Sequence, residues 1–331
     1  MLTTLLLAVA LLQQSDTSIV GTYRTEGDFQ IAIRQHDFGK QGKRLVFIDY
    51  ETGRFGSFLP GPGGQFKAGP GLLVDAPTVT TMRVERDAAR RVRAISFSNN
   101  GEDPRRAVRE HKYTEREVRF KSGDTELTGT LRIPTSAGSH PAVVIVHDSG
   151  AQNREGEFAF LGFVADLFAS NGIASFTYDK RKTSKLDELA DDAAQAMATI
   201  EQQPGIDASK VGIWGIGEGG LVAPMAVQRH GKAKFVILNS APARSSPSDS
   251  ASALQSIKAP VLAFFGAKDS MVPAADNAAS IQSALRTVGN HDVQIVTLAD
   301  ANHLFQSTGQ FKFVPGYFDR MMQWVLGKTT R

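Results

Sequence analysis

VGIWGIGEGGLVAP, residues 211–224, is the stretch on which the reading of this chain turns. Val211–Trp214 is a short apolar run, as a strand buried on both faces requires. A knot of small residues follows, and from about Glu218 the pattern is helical. A strand that turns sharply into a helix, with glycines two places before and after the apex, outlines the G-x-S-x-G nucleophile elbow. Gly215 and Gly219 hold the flanking places, but the apex is Gly217 and brings no hydroxyl. The apex residue of such a turn adopts a positive φ, which costs a residue with a side chain about 1–3 kcal/mol and glycine almost nothing. The turn is therefore expected to keep its shape while lacking its reactive atom.

Working outward, strands and helices alternate. PAVVIVHD (141–148) is a continuous apolar strand, EGEFAFLGFVADLFASNG (155–172) a helix ending on an Asn-Gly cap, and IASFTYDK the next strand. The helix LDELADDAAQAMATIEQQ precedes the elbow strand. KFVILNS, PVLAFFGAKD and DVQIVTLAD are further strands, AADNAASIQSALRTVG is a helix, and the last helix lies near 315–327. This spacing predicts a doubly wound, mostly parallel α/β sheet over 114–331, opened by a hairpin. Reactive groups in such a sheet belong in loops past the carboxyl ends of strands. Four loops qualify: His147-Asp148-Ser149-Gly150, the elbow, Gly266-Ala267-Lys268-Asp269, and Asn302-His303.

In order and content these loops resemble the α/β-hydrolase superfamily, and more closely bacterial exported esterases related to dienelactone hydrolases and to acyl-thioester or prolyl-oligopeptidase-type hydrolases. The residues that carry the resemblance are HDSGAQNRE (147–155), YDKR (178–181), GIGEGGLVAP (215–224), FFGAKDSMVP (264–273) and ANHLFQ (301–306). The resemblance implies carboxylic-ester hydrolysis, with Gly217 at the nucleophile position, Asp269 as acid and His303 as base. It places the oxyanion hole at the backbone N–H of Glu218 with one from Asp148 or Ser149. A histidine backed by a carboxylate activates a hydroxyl, and backbone donors stabilise the oxygen that becomes negative; only the hydroxyl is missing. The chain also departs from the pattern elsewhere. Asp148 stands where the pattern has glycine, a carboxylate that repels a developing oxyanion unless it turns outward. Residues 181–184 read RKTS where a glycine-bearing R-G-x-G is usual, and the cap segment 241–259 is short. Ser149 is badly placed to replace the nucleophile, whereas a water activated by His303 is an alternative. His147 reads as a loop organiser, and Asp179 with Arg181 as a brace under the site.

Before residue 114 the chain reads all-β. FQIAIRQ (29–35), RLVFIDYE (44–51), TTMRVERD (80–87) and RVRAISFS (91–98) alternate, separated by turns such as PGPGGQFKAGPG at 60–71. Five to eight strands over 15–113 predict a small antiparallel barrel or sandwich. The apolar run Leu2–Leu12 is too short to span a bilayer and fits the core of a signal peptide over 1–14, implying export to a periplasm or the medium. The 331 residues carry 41% hydrophobic and 21% charged side chains and a net charge of +3, a soluble globular composition with no case for nucleic-acid binding. There is no cysteine, hence no disulfide and no thiol nucleophile, and no spacing typical of metal ligands. No cofactor is expected; the expected partner is a small acyl ester or peptide-like ligand.

Three functional readings remain at this level. The chain is a degenerate, ligand-binding member of an ester-hydrolase family; or a working hydrolase, using water on His303 and Asp269 or a serine natural at 217; or an interaction protein whose β domain carries the function.

Overall fold

The structure, a computed structural model, describes residues 16–243 and 252–330. The expected signal segment and the middle of the short cap segment lie outside the described residues. The chain divides into two compact units, with the break between His111 and Lys112 and with Gly309–Phe313 belonging to the first.

The first unit is a closed barrel of eight strands in chain order: β1 (Gly21–Thr25), β2 (Gln30–Asp37), β3 (Lys43–Asp49), β4 (Phe55–Pro60), β5 (Gln65–Ala68), β6 (Thr80–Arg86), β7 (Val92–Asn99) and β8 (Arg105–Arg109). Each pairs antiparallel with the next, and β8 closes on β1 through Tyr23 opposite Arg109. Closure removes the open edges that a free sheet exposes. Alternate residues point inward, so Tyr23, Ile31, Ile33, Leu45, Phe47 and Phe97 fill the interior. Phe47 and Phe58 stack there with centroids 4.5 Å apart. A barrel of eight strands has room for side chains and little else.

The second unit holds one eight-stranded sheet. Its strands are β9 (Tyr113–Ser122), β10 (Thr125–Pro134), β11 (His140–Val146), β12 (Ala174–Tyr178), β13 (Ile206–Ile216), β14 (Val236–Asn239), β15 (Val261–Gly266) and β16 (Val293–Leu298). Across the sheet the order is β16-β15-β14-β13-β11-β12-β10-β9. The strands β11 to β16 all run parallel. The hairpin β9–β10 is added at one side, with β10 antiparallel to both neighbours, so the sheet is mixed. Helices described in the connections and at the end include α1 (Phe160–Ser170), α2 (Leu186–Glu201), α3 (Gly219–His230), α4 (Ala274–Thr287) and α5 (Tyr317–Thr329). The helix expected from residue 155 starts later, because Phe158 (φ 52°) and Ala159 (φ 63°) are left-handed and break the run.

The sheet order positions the site. From β11 the chain passes to β12 on one side and then returns to β13 on the other. The loops after β11 and β13 therefore face each other at a switch point, where open α/β sheets form their crevices. Because β15 and β16 are parallel to β13, the loops carrying Asp269 and His303 emerge at the same edge.

Candidate functional site

The turn after β13 is tight for steric reasons. A Cβ on Gly215 would lie 2.1 Å from the carbonyl oxygen of Gly219, and one on Gly219 would lie 2.6 Å from those of Val146 and His147. Strand and helix thus approach more closely than any side chain allows. Between them Gly217 sits at φ +52°, the left-handed region that glycine enters freely. Its N–H donates to the carbonyl of Asn239 at 2.9 Å. The Asn239 side chain is fully buried; it donates to the Gly215 carbonyl at 3.0 Å and accepts from the Tyr317 hydroxyl at 3.0 Å. The turn is therefore anchored to the neighbouring strand and to α5.

Asp269, after β15, is buried and fully satisfied. Its Oδ1 accepts from the N–H groups of Met271 (2.9 Å) and Val272 (3.0 Å), and its Oδ2 accepts from His303 Nδ1 at 2.8 Å. The His303 loop is fixed by Asn302, whose Oδ1 accepts from the N–H groups of Leu304 and Gln306, and by the Ser240 hydroxyl, which donates to the His303 carbonyl at 2.8 Å. The expected acid and base are thus hydrogen-bonded.

The loop after β11 behaves differently from expectation. The Asp148 side chain turns inward, not outward. Its Oδ1 accepts from the N–H of Ser149 at 2.6 Å and from the N–H of Glu218 at 3.1 Å, and its Oδ2 accepts from His303 Nε2 at 3.1 Å. A Cβ built on Gly217 would fall 1.9 Å from Asp148 Oδ1 and 2.4 Å from its Cγ. The space over the turn is not left to water; the Asp148 carboxylate fills it. The two N–H groups expected to form an oxyanion hole converge on that carboxylate, with Ser149 rather than Asp148 supplying the second donor.

The electrostatics follow. Burial pushes the Asp148 carboxyl up, but the bonds from His303, Ser149 and Glu218 outweigh it and hold it below the usual carboxylate range. Burial pushes His303 down, yet its bonds to Asp148 and Asp269 and their charges raise it above the ordinary histidine value. Ionised carboxylates only accept hydrogen bonds, so a ring between two of them carries protons on both nitrogens. Such an imidazolium has no lone pair with which to take a proton from a nucleophile.

Lys180, absent from the expected site, ties the two facing loops together. Its side chain is 4% exposed, and Nζ donates to the Asp148 carbonyl and to Glu218 Oε1, both at 2.7 Å. That carbonyl belongs to the peptide whose N–H is the Ser149 donor, so the ammonium holds the donor's plane from behind. Lys180 lies inside YDKR, next to the strand beside β11, and a lone lysine beyond a parallel strand was the available signal. Lys180→Met keeps the buried stem and leaves the Glu218 carboxylate unpaired. With charged hydrogen bonds contributing about 1.5–3 kcal/mol each, we expect urea unfolding to show a loss of about 2 kcal/mol. An unchanged midpoint would mean the clamp holds nothing. Asp179 pairs with Arg154 (2.5 Å) and not with Arg181, which instead holds Asp192 of α2 (2.6 Å). His147 is buried with its ring edge-on to Tyr178 at 5.1 Å. No group of three His, Asp or Glu side chains among the described residues is arranged to hold a metal ion. No helix among them is long and apolar enough to cross a membrane.

The profile of the dienelactone hydrolase family, within the α/β-hydrolase superfamily, matches residues 127–316, more than half of the chain. The chain belongs to the dienelactone hydrolase family. Among curated proteins it is similar to Esterase EstD of Thermotoga maritima, 31% identical over 130 residues, which are 36% of this chain and 31% of that protein. It is also similar to Thiohydrolase aneE of Aspergillus aculeatus, 28% identical over 118 residues, 32% of this chain and 35% of that protein. The chain spans about a third of the length of these curated relatives. Among solved structures, a dienelactone hydrolase from Anabaena variabilis overlays with a TM-score of 0.53 at 22% identity, over 66% of this chain and all of the other. That likeness concerns the fold. Within the family frame, Asp148, Gly217, Asp269 and His303 stand together at the carboxyl edge of the sheet.

Proposed function

We propose that this family member is a carboxylic-ester-hydrolase-type protein that has given up serine acyl transfer. Gly217 stands at the nucleophile position, His303 and Asp269 are the base and acid, and the N–H groups of Glu218 and Ser149 are the oxyanion hole. The observation that carries the reading is the Asp148 carboxylate, which takes both the space of a side chain at 217 and the donors of the hole. An anion already bound there excludes the oxyanion of an acyl intermediate, because those donors stabilise only charge that can reach them. His303 has a carboxylate on each ring nitrogen, which leaves no free nitrogen facing a water and argues against the working-hydrolase alternative. The esterase and thiohydrolase names of the relatives support small acyl esters as the ligand class. Export, read from Leu2–Leu12, belongs to the same proposal.

The test is direct. With short-chain p-nitrophenyl esters, the chain as it stands is expected to turn over no faster than buffer, and a fluorophosphonate probe is expected to leave it unlabelled. Loss of a serine nucleophile lowers turnover by about 10⁶, so the distinction is easily read. Ester turnover well above buffer that His303→Gln abolishes would refute the proposal.

A further inference from the structure

The Asp148 carboxylate has more than the position of a blocking group; it has the partners of a nucleophile. Its Oδ1 rests on two backbone donors, its Oδ2 faces the histidine at 3.1 Å, and that histidine is backed by Asp269. The side chain is 20% exposed, so it is reachable from solvent. We propose that Asp148 acts as a covalent nucleophile toward saturated carbon bearing a leaving group that departs as an anion, the chemical class of alkyl halides. This goes beyond the loss of serine acyl transfer and concerns a different reaction.

The choice of carbon follows from carboxylate chemistry. Attack on a carboxylic ester would form an anhydride and expel an alkoxide. The alkoxide is far more basic than the attacking carboxylate, so the adduct collapses backwards. Attack on saturated carbon forms an ordinary ester. Oδ2 donates an electron pair to the carbon, the carbon–halogen bond breaks, and halide leaves with that bond's electrons. Asp148 is now an alkyl ester whose carbonyl oxygen, Oδ1, already lies between the Glu218 and Ser149 N–H groups.

Hydrolysis of that ester uses the rest of the site. Water adds to Asp148 Cγ, its proton passes to His303 Nε2, and the negative charge forms on Oδ1 in the two-donor hole. Collapse expels the alcohol, which takes the proton from His303, and Asp148 is regenerated with one oxygen from water. The sum is alkyl halide plus water giving alcohol, halide and a proton. Alkylation also removes the Asp148 charge and hydrogen bond, two of the influences that raise His303. The ring can therefore lose its second proton when a base is needed. In the resting site it cannot, so esterification of Asp148 itself readies the second step.

The experiment exposes the chain to methyl iodide, n-butyl bromide and benzyl bromide. The chain has no cysteine, so no thiol competes for these probes. In His303→Gln the second step is blocked, and peptide mapping is expected to find one alkyl group per chain on the peptide holding Asp148. In the native chain, a single turnover in heavy-oxygen water is expected to place the label in the Asp148 carboxylate and not in the alcohol. Asp148→Asn is expected to lose all halide release above the solution rate. Alkylation confined to other residues overturns the proposal. So does heavy oxygen in the alcohol alone, or the absence of an Asp148 adduct with all three halides. The native-chain label needs no variant and so does not depend on a variant's folding. Failure here leaves the p-nitrophenyl ester result untouched, and the reverse holds as well.

Discussion

Gly217→Ser alone is expected to leave the protein as inactive toward p-nitrophenyl acetate as the native chain, whereas Gly217→Ser with Asp148→Gly is expected to turn it over. The reason is steric first. A Cβ at 217 lies 1.9 Å from Asp148 Oδ1, so the single substitution evicts the carboxylate from the Ser149 and Glu218 N–H groups. The displaced anion stays in the same pocket. There it competes for the two donors and for His303, and a serine beside it has neither a free base nor an empty hole. The single variant also pays about 1–3 kcal/mol for a side chain at positive φ, so its thermal midpoint should fall. Removing the Asp148 side chain clears the donors and removes one of the two carboxylates that keep His303 protonated. The His303–Asp269 bond at 2.8 Å then stands as a base backed by its acid. Starting from a site worth little, the double variant should gain on the order of 10³ in turnover, well short of the roughly 10⁶ that an evolved serine site assigns to its nucleophile. A fluorophosphonate should label it at position 217. Equal activity in the single and double variants would show that Asp148 does not hold the nucleophile's place.

Much of this arrangement was legible in the sequence, and the missing part has a physical explanation. The alternation in residues 29–35, 44–51, 80–87 and 91–98 marked β2, β3, β6 and β7 because one face of each fills the barrel. The strands β4 and β5, FGSFLP and QFKA, were hidden by glycine and proline. Those residues read as turns but are tolerated in short barrel strands that bend and pair briefly. In the second unit, apolar runs ending in Asp, His or Gly placed the four loops, since parallel strands share one carboxyl edge. The family resemblance also marked Asp148 as a misfit for an oxyanion loop. It did not give the direction of that side chain. Direction depends on the missing Cβ at 217, far along the sequence from Asp148, and on two N–H groups from different loops. Lys180 left only the weak signal of a lone lysine beyond a parallel strand, because its partners are a carbonyl and a carboxylate brought near only by the strand order.

The buried His147 carries the other large expectation, an acid-sensitive stability with a defined window. Burial pushes its ionisation from 6.5 down to about 4, helped by the nearby Lys180 charge. Its Nε2 finds no hydrogen-bond partner among the described residues, so the backbone bonds at Tyr178 and Asn153 and the Asp179 charge offset only part of the cost of charging it. The unfolded chain protonates this ring at its ordinary value and the folded chain does not. Between those two values the unfolded state binds more protons, so stability is complete above about pH 6.5 and falls as pH drops toward 4. At 1.36 kcal/mol per unit the full loss is about 3 kcal/mol. His303 acts with the opposite sign: its raised value gives stability that is present below the ordinary histidine range and lost as pH rises above it. Asp148 is held low, and its contribution is lost only in stronger acid. The interval between pH 4 and 6.5 therefore isolates His147 from its two neighbours in the site. Urea unfolding across that interval should show the slope in the native chain and a flattened slope in His147→Gln, whatever the absolute stability of that variant. Parallel slopes in the two proteins would mean that the ring charges in place, and that the loop carrying Asp148 opens to water more readily than its burial implies.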